Sequence, residues 1–330
     1  MKSHRVNIYL SILVFAFAVA SVVAGPPNAK FLGRWEGETV SVLAGSGDYL
    51  YVDQMPTIVL NVSNPKEPKG IGEYWTGGLM MDTEAFVIGD ILLTANTMFV
   101  FAMDISDPSQ PSELGSFHIE AKGSYNPMKP VGAVGICAEG NYAYVAALCG
   151  GLIVVDISDP SDMKEIGRCE TRNVAKKIAK SGDYVFIADR ASGLGTFDIS
   201  DPENPKEISY LELRHDARGI DISGDKAYVA DRDGGLAIVD ISNPKHPKEL
   251  GHLATEEPAW NVRVVGNYAF LANAGDGLMI VDVLDPENPK KLKSFATEDF
   301  AEDVWIIGTR LYVSESSAGV SIYDISEFMK

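Results

Sequence analysis

From Ala259 to Thr297 the apolar and polar positions fall into four short runs separated by turn formers. Asn261–Val265 alternates and stops at Gly266-Asn267. Tyr268–Ala272 is rich in β-formers and gives way to Gly275-Asp276-Gly277. Leu278–Val281 is continuously apolar and closes on Asp282. After the turn Asp285-Pro286-Glu287-Asn288-Pro289, Lys291–Phe295 resumes a period of two. Four runs of strand length with no helical period predict one antiparallel four-stranded sheet. Its strands are labelled a, b, c and d in chain order.

The third run and its turn recur, as in Val239-Asp240-Ile241-Ser242-Asn243-Pro244. The aligned positions are Asn61, Asp104, Asp156, Asp198, Asp240, Asp282 and Asp324, with steps of 43, 52, 42, 42, 42 and 42 residues. A period near 42 along the chain predicts a repeat architecture, not the two domains that length alone suggests. A sheet with two faces to bury is served by radial repetition, the β-propeller. Seven strand-d segments precede or follow the seven c strands. The first, near Phe31 to Trp35, stands before any strand a, and the chain ends after a strand c. The expected fold is therefore all-β, a seven-bladed β-propeller of four-stranded antiparallel blades whose ring is closed by the N-terminal strand joining the last blade. The step of 52 places an insertion around Glu120 to Pro130, which carries Tyr125.

Lys2 and Arg5 precede an apolar run from Ile8 to Ala24 that is interrupted only by Ser11 and Ser21, and Gly25-Pro26-Pro27 follows. This pattern predicts a secretory signal over residues 1–24 and a single propeller domain over 25–330. The expected location is secreted, periplasmic or cell-surface; an uncleaved signal would instead leave a membrane anchor. The net charge of −18 argues against nucleic acid and anionic membrane surfaces as partners. Three cysteines, Cys137, Cys149 and Cys169, fall within or beside one repeat at positions poorly placed to pair, so free thiols are expected.

The phrases Leu152-Ile153-Val154-Val155-Asp156, Leu236-Ala237-Ile238-Val239-Asp240 and Leu278-Met279-Ile280-Val281-Asp282, with the Ile-Ser-Asp/Asn-Pro turn, resemble the LVIVD-repeat family. That resemblance implies an exported prokaryotic β-propeller and says almost nothing about activity, because the shared motif is structural. The first copy departs from it with Asn61, and the last ends in Glu327-Phe328 in place of Asp-Pro.

The a–b and c–d turns are monotonous, and a ring of identical turns is construction. The d–a and b–c connections on the opposite face differ from blade to blade, and loops on a rigid frame carry binding groups. At the start of strand a the aligned pairs are Thr83/Glu84, Val134/Gly135, Lys176/Lys177, Arg218/Gly219, Trp260/Asn261 and Glu302/Asp303, with His215 and Asp216 just upstream. The candidate ligand-binding residues are Lys176, His215, Asp216, Arg218, Trp260, Asn261, Glu302, Asp303 and Tyr125. A second ring ends strand b: Asp53, Asn96, Ala147, Asp189, Asp231, Asn273 and Glu315. These oxygens would either cap their own b–c turns or hold Ca²⁺; Asp231-Arg232-Asp233-Gly234 resembles only the start of a calcium loop. No cofactor is otherwise expected.

No Gly-x-Ser-x-Gly, His-Glu-x-x-His or Walker pattern is present. The expectation is an exported, non-catalytic, monomeric propeller that binds an extracellular protein or a polar, carbohydrate-like ligand. The alternative is a hydrolase or lyase acting on an extracellular polymer at the channel mouth, with His215, Asp216, Glu302 and Asp303 as acid/base candidates.

Overall fold

In the computed structural model residues 27–37, 43–52, 54, 56–75, 84–96, 98–120 and 131–330 are described. The expected signal segment and the insertion with Tyr125 lie outside them. The described strands form seven four-stranded antiparallel sheets, each a meander in the order a-b-c-d. Blade 1 spans residues 43–74, blade 2 84–118, blade 3 131–169, blade 4 177–211, blade 5 219–253 and blade 6 261–295. Blade 7 takes strands a, b and c from Ala301–Ile307, Arg310–Glu315 and Gly319–Asp324, and strand d from Lys30–Trp35. The a strands of neighbouring blades contact one another all round the ring, so they line the central channel.

Burial explains why strand c is an unbroken apolar run. In blade 3, Ile153 and Val155 pack with Leu93 and Val100 of blade 2. Leu152 and Val154 point the other way, to Ile178, Val185 and Phe197 of blade 4. Alternate side chains leave opposite faces of a strand, and here both faces are interior. The core is thus a ring of interfaces between blades.

The repeated Asp, Asn61 in blade 1, ends each strand c. Asp156 Oδ1 accepts the Ser158 backbone N–H at 2.9 Å, and Asp240 Oδ1 that of Ser242 at 2.9 Å. The Ser242 hydroxyl and N–H together hold the Asp240 carboxyl below the usual carboxylate range. This is an Asx turn, a local side-chain bond that stops the strand and aims the chain into the proline turn.

That turn then serves the preceding blade. The register of strand d on strand c shifts in blade 3 between Val154 and Val155, a β-bulge at Gly167. A Cβ at Gly167 would stand 2.2 Å from the Pro202 carbonyl oxygen of blade 4. Gly251 meets Pro286 of blade 6 in the same way. Blade 4 has Ser209 at this position, and its hydroxyl donates to the Pro244 carbonyl at 2.6 Å. A turn from one blade therefore presses on the outer strand of its neighbour at a backbone-to-backbone distance.

The ring is closed from outside by the N-terminal strand. Lys30–Trp35 pairs antiparallel with Gly319–Asp324. Asn28 N–H donates to Glu327 Oε2 at 3.0 Å, and Ala29 is buried in the blade 6–blade 7 core. Arg34 Nη2 donates to both oxygens of the fully buried Glu315, at 3.2 and 3.0 Å. An Arg–carboxylate pair shielded from water locks the added strand in register.

It is tied from inside by a polar plug. Lys177, at the start of strand a in blade 4, places Nζ 2.9 Å from Glu84 Oε1 of blade 2 and 3.5 Å from Asp303 Oδ2 of blade 7. Glu84 Oε2 also accepts the Ile136 N–H of blade 3 at 3.0 Å. Asn261 of blade 6 donates its side-chain amide to Asp303 Oδ1. Gly219 of blade 5 leaves the room this needs, since a Cβ there would sit 2.5 Å from Asn261 Oδ1. Burial disfavours the Lys177 ammonium, but Asp303 and Glu84 outweigh it and its pKa is raised. One cation thus joins blades on opposite sides of the channel.

Four variants test this by thermal melting. Deleting residues 27–36 unpairs the last strand c and leaves Glu315 buried without Arg34, so the ring loses its cooperative transition; an unchanged melt would contradict this closure. Gly167→Val forces the turn of blade 4 away and costs about 1–3 kcal/mol, as overpacking does, whereas Ser209→Gly costs about 1 kcal/mol for one hydrogen bond. Lys177→Met strands two buried carboxylates and costs about 3–5 kcal/mol.

Candidate functional site

The pairs at the start of strand a divide their labour. The second residues of the pairs in blades 2, 4, 6 and 7, namely Glu84, Lys177, Asn261 and Asp303, turn inward and make the plug. Asn261 and Asp303 are 1% and 2% exposed and have no surface to offer a ligand. The expectation that they line an open mouth is corrected: across the ring, opposite charges and an amide satisfy one another. The first residues, Lys176, Arg218, Trp260 and Glu302, are half-buried above the plug on the loop face. Below it the channel widens to a cavity of about 330 Å³ that includes Phe86, Cys137, Asp221, Arg263 and Trp305 and reaches Glu139, Lys180 and Gly182 at the a–b turn end.

Above the plug one cluster brings several predicted residues together. Asp216 lies 3.1 Å from Arg190 Nη2, 3.7 Å from Arg218 Nη2 and 3.8 Å from Arg232 Nη1. The Arg218 and Arg232 guanidinium carbons stand 5.0 and 6.0 Å from the Trp260 ring centroid, within cation–π range. Three cations and an aromatic face thus gather on one carboxylate. His215 is exposed beside them; its backbone N–H is fixed by Asp231 at 3.0 Å.

Arg190 and Arg232 were not anticipated. Each is the second residue of a b–c connection, at φ 43°, and Leu148 and Ala274 adopt the same conformation in blades 3 and 6. Each also bridges to the alanine that precedes the next strand-a pair, Arg190 to Ala217 and Arg232 to Ala259. This left-handed turn is an architectural device, and it carries any side chain on it toward the neighbouring d–a loop. Only blades 4 and 5 put arginine there. The available signal was the dipeptide Asp-Arg repeated at 189–190 and 231–232, one blade apart.

The carboxylates that end strand b work differently from the expected turn caps. Asp189 Oδ2 accepts the Asn173 N–H and the Tyr210 hydroxyl, both at 2.9 Å. Asp231 Oδ2 accepts the N–H groups of Arg214 and His215, both at 3.0 Å. They hold the incoming d–a loop, while backbone bonds such as Gly234 N–H to Asp231 O close the b–c turn itself. Burial pushes the Asp231 carboxyl up to about 6 against the pull of those two N–H groups. Asp53 lies outside the described residues. Among the described residues no three His, Cys, Asp or Glu side chains assemble where a metal ion could be held. The three cysteines are free, Cys137 buried and Cys149 and Cys169 partly so.

Lys176 and Glu302 have partners within the protein. The Ser316 hydroxyl donates to Glu302 Oε1. Arg172 and Arg214, exposed farther out on the same face, are paired with Glu207 at 2.6 Å and Glu249 at 3.0 Å.

This architecture is shared by solved structures of remote sequence. The computationally designed Ika8 protein is similar at 11% identity and a TM-score of 0.62, over 89% of this chain and 99% of that one. BamB from Moraxella catarrhalis is similar at 12% identity and a TM-score of 0.57, over 88% and 84%. At these identities the likeness is one of fold. No curated protein sequence matches the chain. The LVIVD repeat model matches residues 37–76, 100–118, 132–171, 174–211, 215–255, 258–297 and 300–328. With the repeat present in every blade and the Asx-turn phrase accounting for its strand c, the chain belongs to the LVIVD repeat family.

Proposed function

We propose that the protein is an exported, monomeric, non-catalytic binding propeller that offers its d–a and b–c loop face to a ligand or partner. Export is supported by the basic and then apolar N-terminal run. Among the described residues no helix is long and apolar enough to cross a membrane.

The observation that carries the binding reading is how the acid/base candidates are spent. Asp303 is buried and held by Lys177 and Asn261. Asp216 is shared by three arginines. Glu302 takes the Ser316 hydroxyl, and the Asp231 carboxylate beside exposed His215 is taken up by the backbone N–H groups of Arg214 and His215. A general acid or base must reach the atom whose proton it moves. Here the carboxylates are turned to protein cations and donors, which builds a shaped, charged surface instead of a reactive pair.

The reading is tested on wild type, Arg218→Ala and Trp260→Ala with polysaccharide and peptide libraries, scoring both retention and turnover. Retention of a library member without turnover, lost about tenfold or more in both variants at unchanged melting temperature, is expected. Turnover that disappears in His215→Ala or Asp216→Asn would overturn it in favour of the polymer hydrolase or lyase.

A further inference from the structure

We propose that Arg190, Arg218 and Arg232, gathered on Asp216 against Trp260, form a recognition site for one carboxylate group of a small organic acid. The inference rests on the binding reading above and assigns the ligand's chemistry.

Three guanidinium groups face two carboxylates, Asp216 and Asp233, the latter half exposed and 3.8 Å from Arg232 Nε. Hydrogen-bond donors on Arg190 and Arg232 are in excess there, in a chain whose net charge is −18. A guanidinium has five N–H groups, and its Nε edge suits the two oxygens of a carboxylate. Arg190 makes one hydrogen bond of 3.1 Å to Asp216, and the Nε atoms of Arg190 and Arg232 are shielded from solvent with no hydrogen-bond acceptor among the described residues. A buried donor left unmade is costly, and a ligand oxygen relieves that cost. Both side chains are still 37% exposed, so a turn of the guanidinium, with no change of backbone, is what brings the shielded edge to a ligand oxygen.

Geometry limits the size of the anion. The outer arginines Arg172 and Arg214 are neutralised by Glu207 and Glu249, so among the described residues they extend no basic track from the cluster. A polyanion would meet the acidic remainder of the surface, whereas a single carboxylate is held by short-range bonds that screening leaves intact. Trp260 backs Arg218 and Arg232, which lowers the ordering cost of binding.

The test follows the ¹⁵N–¹H signals of Arg190 and Arg232 Nε, assigned by their loss in Arg190→Gln and Arg232→Gln. The probes are acetate, benzoate and glutarate, each against its neutral amide, up to about 20 mM at constant ionic strength, with poly-L-glutamate as the polyanion arm. At least one small acid shifts both signals downfield and its amide does not. The double variant Arg190→Gln/Arg232→Gln lowers that affinity about tenfold or more, read on tryptophan emission, and Asp216→Asn, which removes the competing internal carboxylate, raises it several-fold. Either variant decides the matter if the other fails to fold. Signals unmoved by every acid, equal shifts from acid and amide, or a response to poly-L-glutamate alone would overturn the proposal. Loop-face binding that survives such a result leaves the broader reading standing, while turnover of a bound acid sinks that reading and not the site.

Discussion

A four-stranded sheet that is apolar on both faces is stable only between two others. In this molecule the last blade obtains its outer strand from the far end of the chain. The pairing of Lys30–Trp35 with Gly319–Asp324 is the contact on which the other interfaces rest, because an unclosed ring would expose one interface to water. Arg34 reaching the buried Glu315 fixes its register. Lys177 does related work from the centre, drawing blades 2 and 7 toward blade 4. Its partners differ in kind from the apolar contacts between blades: they are directional, so they specify which blades face one another.

This construction separates the two ends of the ring. On the turn face, Asp, Ser and Pro repeat in blade after blade, and each turn is used twice, as a strand stop and as a pad against the neighbouring strand d. Substitution there is felt as packing. On the loop face the left-handed b–c turn and its bridge to the next blade recur in blades 3 to 6, but the side chains it carries are Leu148, Arg190, Arg232 and Ala274. A fixed backbone with variable side chains suits recognition, since the geometry is supplied once by the fold and the chemistry is chosen locally.

The fold was legible because its constraint is periodic: a both-sides-buried strand every 42 residues reads as apolar residues closed by Asp, as in Leu236–Asp240. The site was legible only in part. Position along the strand placed Arg218, Trp260 and Asp216 on the loop face, where the structure brings them together. It could not tell that Asn261 and Asp303, one residue farther on or at the same level, point into the channel, because that depends on which side of the ring offers Lys177. Arg190 and Arg232 escaped notice because their role comes from a left-handed turn and a bridge between blades, neither of which leaves a composition signal. The sequence around Asp231 suggests a turn cap or calcium ligand, whereas its N–H partners lie sixteen and seventeen residues earlier, beyond any local pattern.

If recognition belongs to the arginine cluster on the loop face and the turn face is frame, crystals soaked in 4-bromobenzoate reveal it through the anomalous signal of bromine. A peak is expected over the loop face, with the carboxylate in hydrogen-bond contact with Arg190 or Arg232. Bromine confined to the a–b turn end of the channel, beside Arg263 and Trp305, with the arginine cluster empty, would contradict it.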